Sequence, residues 1–272
     1  MDRRDFLNAI ASSVTVTGLA ASVWPRRAAT PIGIQLYTVR HLMLNYPERT
    51  LAALAEVGYR EVELAGLYGH SPRDFRAMLD RTGLKAVGGH IALKSFQTDL
   101  EKTLDDAETL GHEWALVAWI DQADRTIPRL ETIADYFNVI GRAGQKRGMR
   151  FAYHNHNFEF KPVDGVVPFD LLLNRTDKNF VDFEMDLFWV RSGGKDPLDY
   201  FARYPGRFPM VHVKDMAADG KMVNVGEGVI NFAQLFKQAD RAGIQHYFVE
   251  HDEPTDALKD AGKSYSALAK IL

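Results

Sequence analysis

The chain has 272 residues, 46% of them hydrophobic and 25% charged, which is enough apolar material for one large core and excludes a disordered or fibrous polymer. Its net charge of -3 arises from 33 Lys and Arg against 36 Asp and Glu, well mixed along the chain, so no basic stripe offers itself to nucleic acid. There is no cysteine, which excludes disulfide staples, zinc–thiolate sites and cysteine nucleophiles.

The N-terminus reads Met1-Asp2-Arg3-Arg4-Asp5-Phe6-Leu7-Asn8. A mildly apolar stretch follows, diluted by Ser12, Ser13, Thr15, Thr17 and Gly18, and then the basic flank Pro25-Arg26-Arg27. The pattern resembles a bacterial twin-arginine signal. Its apolar stretch falls short of the length and apolarity that identify a membrane span from sequence. The expectation is a signal segment over residues 1–30, recognised by the twin-arginine export machinery, and a periplasmic destination, with membrane anchoring if the segment is not cleaved.

From residue 31 onward, strand-like and helix-like segments alternate. Residues 32–37 read as the first strand, and 47–57 show helical apolar spacing that stops at Gly58. Residues 61–64 form the second strand. Ser71 then caps a helix that opens on Pro72. Strands follow at 84–91 and 114–119, with helices at 98–110 and 127–147. The second half repeats the rhythm, with strands at 150–153, 180–185, 208–213 and 247–250. Its helices fall at 169–173, 197–204, after the cap Asn231, and at 263–272. Eight strands alternating with helices predict a closed parallel α/β barrel as a single domain over residues 31–272. An open doubly wound sheet usually carries a glycine-rich phosphate turn after its first strand, and none is present.

In such barrels the C-terminal strand ends carry the active site. Four runs place imidazoles or carboxylates there: Tyr153 to Phe160, Phe183-Glu184-Met185-Asp186, Val211-His212-Val213-Lys214-Asp215 and Phe248-Val249-Glu250-His251. Oxygen and nitrogen donors converging from parallel neighbours make a site for a divalent metal. His212 alone inside an apolar strand would read as a packing residue, but it stands one strand along from Asp186 at the same height. Glu250 ends an apolar strand, where a carboxylate is costly unless it is paired or bound to metal. One or two of His154, Asn155, His156 and Glu159 are expected to reach metal or substrate. Lys214 shares a strand face with His212 and could meet a substrate hydroxyl. His90, at the end of the third strand, and Arg40, beyond the first, complete the rim. His41, His70, His112 and His246 read as surface or packing residues. Gly226-Glu227-Gly228 reads as a tight turn ahead of Asn231, with phosphate binding as the less favoured alternative.

With Gly33-Ile34-Gln35-Leu36-Tyr37-Thr38-Val39-Arg40, Met185-Asp186-Leu187-Phe188-Trp189 and Val225-Gly226-Glu227-Gly228 added to these runs, the chain from Ile32 to Leu272 resembles the sugar isomerase/epimerase superfamily of xylose isomerase-like TIM barrels. The resemblance implies a divalent metal held by Glu159, Asp186, His212 and Glu250, with Glu159 and Glu250 also catalytic. Relatives often carry the first glutamate where this chain has His154, so either Glu159 folds back or His154 replaces it. Trp189 departs from a histidine found in ketose epimerases and suggests an indole stacked on a sugar.

The function expected is isomerisation or epimerisation of a sugar or polyol by metal-assisted proton abstraction next to a carbonyl. Glu159 and Glu250 would act on opposite faces, with His90, His154, His156, Trp189 and Lys214 binding substrate. Manganese is the first expectation, with magnesium, cobalt and zinc as the other candidates. A lyase or dehydratase acting on 3-keto sugars or 3-keto-glycosides is the main alternative. An apurinic endonuclease needs a basic groove that the charge balance opposes, and a non-catalytic sugar-binding protein would need no carboxylates aimed at a metal. The partners expected are a small carbohydrate, no nucleic acid, and optionally a second copy of the chain.

Overall fold

The computed structural model describes residues 30–272. The expected signal segment, with Arg3 and Arg4, lies outside the described residues. Among those described, no helix is long and apolar enough to cross a membrane.

Eight parallel strands close into a barrel. They are β1 (Ile32–Gln35), β2 (Glu61–Leu64), β3 (Lys85–His90), β4 (Trp114–Val117), β5 (Arg150–His154), β6 (Val181–Asp186), β7 (Met210–Val213) and, after a short antiparallel hairpin of β8 (Asp215–Met216) and β9 (Met222–Val223), β10 (His246–Val249). The ring runs β1-β10-β7-β6-β5-β4-β3-β2. Around it lie α1 (Arg40–Asn45), α2 (Pro47–Val57), α3 (Pro72–Thr82), α4 (Leu93–Thr98), α5 (Leu100–Leu110), α6 (Ile127–Gln145), α7 (Pro168–Arg175), α8 (Leu187–Ser192), α9 (Pro197–Arg203), α10 (Phe232–Phe236), α11 (Ala239–Ala242) and α12 (Ala257–Leu268).

Local chemistry sets many of these boundaries. The Ser71 hydroxyl accepts a hydrogen bond from the Asp74 amide at the start of α3, and Gly83 ends that helix in the left-handed region at φ 70. Asp99 caps α5 by accepting from the Lys102 amide, splitting the helix expected over 98–110 from a separate α4. The first strand stops at Gln35 rather than 37, because the chain turns into a 3-10 segment at Leu36–Val39, where the Gln35 side chain accepts from the Tyr37 amide. The helix expected after Asn231 is interrupted between α10 and α11, and the closing helix begins at Ala257 rather than 263.

Alternation along each strand sends one set of side chains outward to the helices and the other into the barrel. Val87, Trp114, Leu116, Ala152, Met210 and Phe248 form an apolar plug inside. Gly33 is required by that plug, since a Cβ there would lie 2.4 Å from the Phe248 ring. Polar pairs support it: His246 Nδ1 lies 2.8 Å from Glu61 Oε2, and Asp182 accepts from Trp114 Nε1 at 2.8 Å and from Arg150 Nη2 at 2.7 Å. The same alternation carries the remaining inward residues of β5, β6, β7 and β10 to the C-terminal mouth.

Candidate metal centre

The parallel register puts Asp186 opposite His212, His212 opposite Phe248 and His154 opposite Glu184. Inward residues of adjacent strands therefore meet at one height. His212 is fully buried at the centre of the cluster. Its Nδ1 lies 2.6 Å from Glu250 Oε2 and 3.9 Å from Asp186 Oδ2. Its Nε2 lies 3.1 Å from Glu184 Oε2 and 3.2 Å from Glu63 Oε1. His90 Nε2 is 2.6 Å from Glu63 Oε1 and 3.5 Å from Glu184 Oε2, and His154 Nδ1 is 3.2 Å from Glu184 Oε2. Lys214 Nζ reaches Asp186 Oδ2 at 3.0 Å, Glu250 Oε2 at 2.8 Å and Asp252 Oδ1 at 2.9 Å.

Two overlapping donor groups result. One atom from each of His90, His154, Glu184 and His212 lies within 4.8 Å of the others, and the same holds for Asp186, His212 and Glu250. The residues fit a divalent cation on a second count. Both Glu184 oxygens, Asp186 Oδ2, Glu63 Oε2 and His154 Nδ1 are buried without a hydrogen-bond partner. Several of these atoms stand close to a neighbouring charged or titratable group, but out of line for a hydrogen bond. Buried polar atoms of a native protein are normally satisfied, and a convergent set of unsatisfied lone pairs suits a cation.

Burial disfavours charge throughout the cluster, and the outcome at each group depends on its neighbours. Burial pushes the Glu184 carboxyl up to about 7, with the Glu63 carboxylate adding to it. Burial likewise raises Asp186 to about 6, against the pull of Lys214 and His212. At Glu250 burial is outweighed by Lys214 and His212, which hold its carboxyl far below the usual carboxylate range. Burial would lower His90, but Glu63 and Glu184 carry it up to about 9. His154 is driven well below its ordinary value by burial and by the charges of His212 and its neighbours.

Asp186, His212, Glu250, Lys214, His90 and His154 thus come together. Glu159 does not. Its Oε1 accepts from the Tyr153 hydroxyl at 2.6 Å and its Oε2 from the His156 amide at 3.0 Å. Tyr153 stacks on Phe137 of α6, outside the barrel, so Glu159 is held in the strand–helix layer rather than in the lumen. The expected placement of Glu159 as metal ligand and catalytic base is corrected on that ground, and the end of β5 presents His154 instead. Trp189 also differs from expectation. Its amide donates to Asp186 Oδ1 at 2.9 Å and its indole packs behind Lys214 and His156, 5.6 Å from the ammonium and 5.7 Å from the imidazole. The indole that lines the cleft is Trp119.

The cleft above the cluster measures about 490 Å³ and is lined by Tyr37, His90, Trp119, His154, His156, Lys214, Glu250 and Asp252, among others. Sequence reasoning gives no site role to Glu63, Trp119 or Asp252, and places Glu184 only within the run that ends at Asp186. A signal for two of them was present: in β2 and β6 acidic residues alternate with apolar ones, so Glu63 shares a face with Glu61 and Glu184 shares a face with Asp182 and Asp186. The turn at Gly226 and Gly228 is closed by Asp215, whose carboxylate accepts from both glycine amides at 2.9 and 3.0 Å, so those amides are already engaged.

Comparison with known proteins agrees with the barrel. Residues 51–271 match the family model described as xylose isomerase-like TIM barrel. An inosose dehydratase of Geobacillus kaustophilus is 25% identical, with 82% of this chain and 85% of that protein covered. The crystal structure of a sugar phosphate isomerase/epimerase from Parabacteroides distasonis superposes with a TM-score of 0.77 at 26% identity, covering 91% of this chain and 96% of that one. The zinc-bound IolI protein shares the fold, with a TM-score of 0.71 at 14% identity over 89% of this chain and 97% of its own.

Proposed function

The chain belongs to the xylose isomerase-like TIM-barrel family, and from that premise we propose that it is a divalent-metal-dependent enzyme that removes a proton next to the carbonyl of a keto sugar or keto polyol and completes a dehydration. The observation that carries this reading is the buried convergence of Asp186, His212 and Glu250 with His90, His154 and Glu184 at the floor of an open cleft.

A cation held by this set supplies Lewis acidity toward a substrate carbonyl oxygen. Three imidazoles among the donors make zinc as good a match as manganese. The chain's own groups supply the proton chemistry. Glu250, kept ionised by Lys214 and His212, lines the cleft and accepts the proton from carbon. Lys214 also lines the cleft, stands outside the donor set and is kept protonated by Asp186, Glu250 and Asp252, so it can give a proton to a departing hydroxyl, which leaves as water when its C–O bond breaks. Lys214, fixed between Asp186 and Glu250, orients a substrate hydroxyl.

Elimination is favoured over epimerisation because the second carboxylate, Glu159, is engaged outside the lumen. The similarity to a protein named inosose dehydratase supports the same direction. Isomerisation or epimerisation is the second reading, favoured by the structural likeness to the Parabacteroides distasonis protein and by His154 as an alternative proton carrier. The metal-loaded protein should be incubated with a keto-inositol in deuterated water and followed by NMR. Loss of water with appearance of an unsaturated ketone supports dehydration. Deuterium exchange or rearrangement without water loss moves the assignment to the second reading, and no exchange with any keto sugar tested removes both.

A further inference from the structure

The mouth of the barrel exposes two aromatic side chains that packing does not require. Trp119 is 52% exposed and Tyr37 is 42% exposed, yet both line the cleft that contains His90, His154, Lys214 and Glu250. Trp119 follows β4 and Tyr37 follows β1, three strands apart in a ring of eight, so they stand on nearly opposite sides of the opening.

Trp119 is exposed but held. Its ring meets His156 edge-on at 5.1 Å and Phe158 at 5.6 Å. The Arg125 guanidinium lies 4.5 Å from the Trp119 ring centre and 3.4 Å from that of Phe158, and Arg125 Nε donates to the Ile120 carbonyl at 2.9 Å. Glu159 ties down the segment carrying His156 and Phe158. Tyr37 is braced by the Arg40 guanidinium, 4.1 Å from its ring centre, and by the bond from its amide to Gln35 Oε1 at 3.0 Å. Trp119 is therefore held in place before any ligand arrives, which lowers the entropic cost of stacking on it, and Tyr37 carries one cation–π contact. Polar donors and charges crowd the floor, while aromatic surface is confined to the rim.

We infer that the cleft takes a two-ring substrate: a saccharide unit bound at the charged floor, joined to a second sugar or aryl ring that stacks on Trp119 and is bounded by Tyr37. The inference rests on the proposed function for the identity of the floor site and adds a specificity platform above it. Glu159 is a positioning residue for that platform.

Unreactive ligands test the platform apart from catalysis. Binding of methyl β-glucoside, phenyl β-glucoside and cellobiose to the full chain is to be measured by calorimetry and tryptophan fluorescence, with metal content recorded in parallel. Both two-ring probes should bind more tightly than methyl glucoside, by several-fold and on the order of tenfold at most for one aromatic contact. Trp119→Ala should abolish that preference and leave metal content unchanged, and Trp119→Phe should keep part of it. Equal affinity for one-ring and two-ring probes, no binding of any probe, or a preference that survives Trp119→Ala overturns the platform. A preference that persists in protein unable to bind metal leaves the platform standing and counts against the catalytic reading alone.

Discussion

Lys214 Nζ stands 2.8 Å from Glu250 Oε2, and both side chains are buried. The same ammonium lies 3.0 Å from Asp186 Oδ2, so one fixed positive charge serves two of the carboxylates of the candidate metal centre. Burial would strip the lysine of its proton, but Asp186, Glu250 and Asp252 together raise its pKa well above the ordinary value. Removing one partner of a buried pair leaves uncompensated charge and costs about 3–5 kcal/mol.

Lys214→Met should therefore lower the melting temperature of the metal-free protein by roughly 6–20 °C, taking about 2–4 °C per kcal/mol for a domain of this size. Saturating Mn²⁺ or Zn²⁺ should recover part of the loss, because a divalent cation compensates the same carboxylates. Calorimetric melts with and without metal measure both effects. A variant as stable as the parent without metal would show that the ammonium is not the counter-charge.

Glu159 and Glu250 should separate cleanly in metal affinity. Glu250→Gln removes a donor from the Asp186, His212 and Glu250 group and should weaken binding by about 100-fold or more. Glu159→Gln disturbs only a bond behind the site and should cost less than about tenfold, below the range for direct supporting partners. Titration of both variants against a competing chelator decides it. If Glu159→Gln loses as much affinity as Glu250→Gln, the placement of Glu159 outside the lumen is wrong.

Metal binding at neutral pH should release protons. His90 is carried up to about 9 and His212 well above its ordinary value by the carboxylates around them, so both hold a proton that a coordinating nitrogen must give up. About one proton or more per ion is expected, and affinity should rise with pH. Calorimetry in two buffers of different ionisation enthalpy reads the proton count. Identical heats in the two buffers would contradict it.

His112 should make stability fall in acid. Burial pushes its pKa down from 6.5 to about 4, and both ring nitrogens lie buried without a partner. Above pH 6.5 the ring is neutral in both folded and unfolded chains, and its full contribution is present. As pH falls from 6.5 toward 4, only the unfolded chain gains the proton, so stability drops by about 1.4 kcal/mol per pH unit, about 3 kcal/mol in all. His112→Gln should flatten the pH dependence of the melting temperature across that window relative to the parent. Parallel curves for the two proteins would exclude the assignment.

Alternating apolar segments, Ser71 and Asn231 as helix starts, Gly58 as a helix stop, and polar residues at the ends of apolar strands were enough to reach a closed parallel barrel, because strand and helix periodicity and capping are local properties of a sequence. The nearness of Asp186 to His212 was likewise legible, since both sit at corresponding ends of consecutive strands. The places of Glu159, Glu63 and Glu184 were not. Whether the six residues after Tyr153 turn a carboxylate toward the lumen or back against Tyr153 depends on a short 3-10 segment and on a hydroxyl supplied from the outer face of β5. Glu63 reaches His212 only because closure of the ring brings strands 149 residues apart into one lumen. Distances across a barrel are set by its closure and register, which no window along the chain contains.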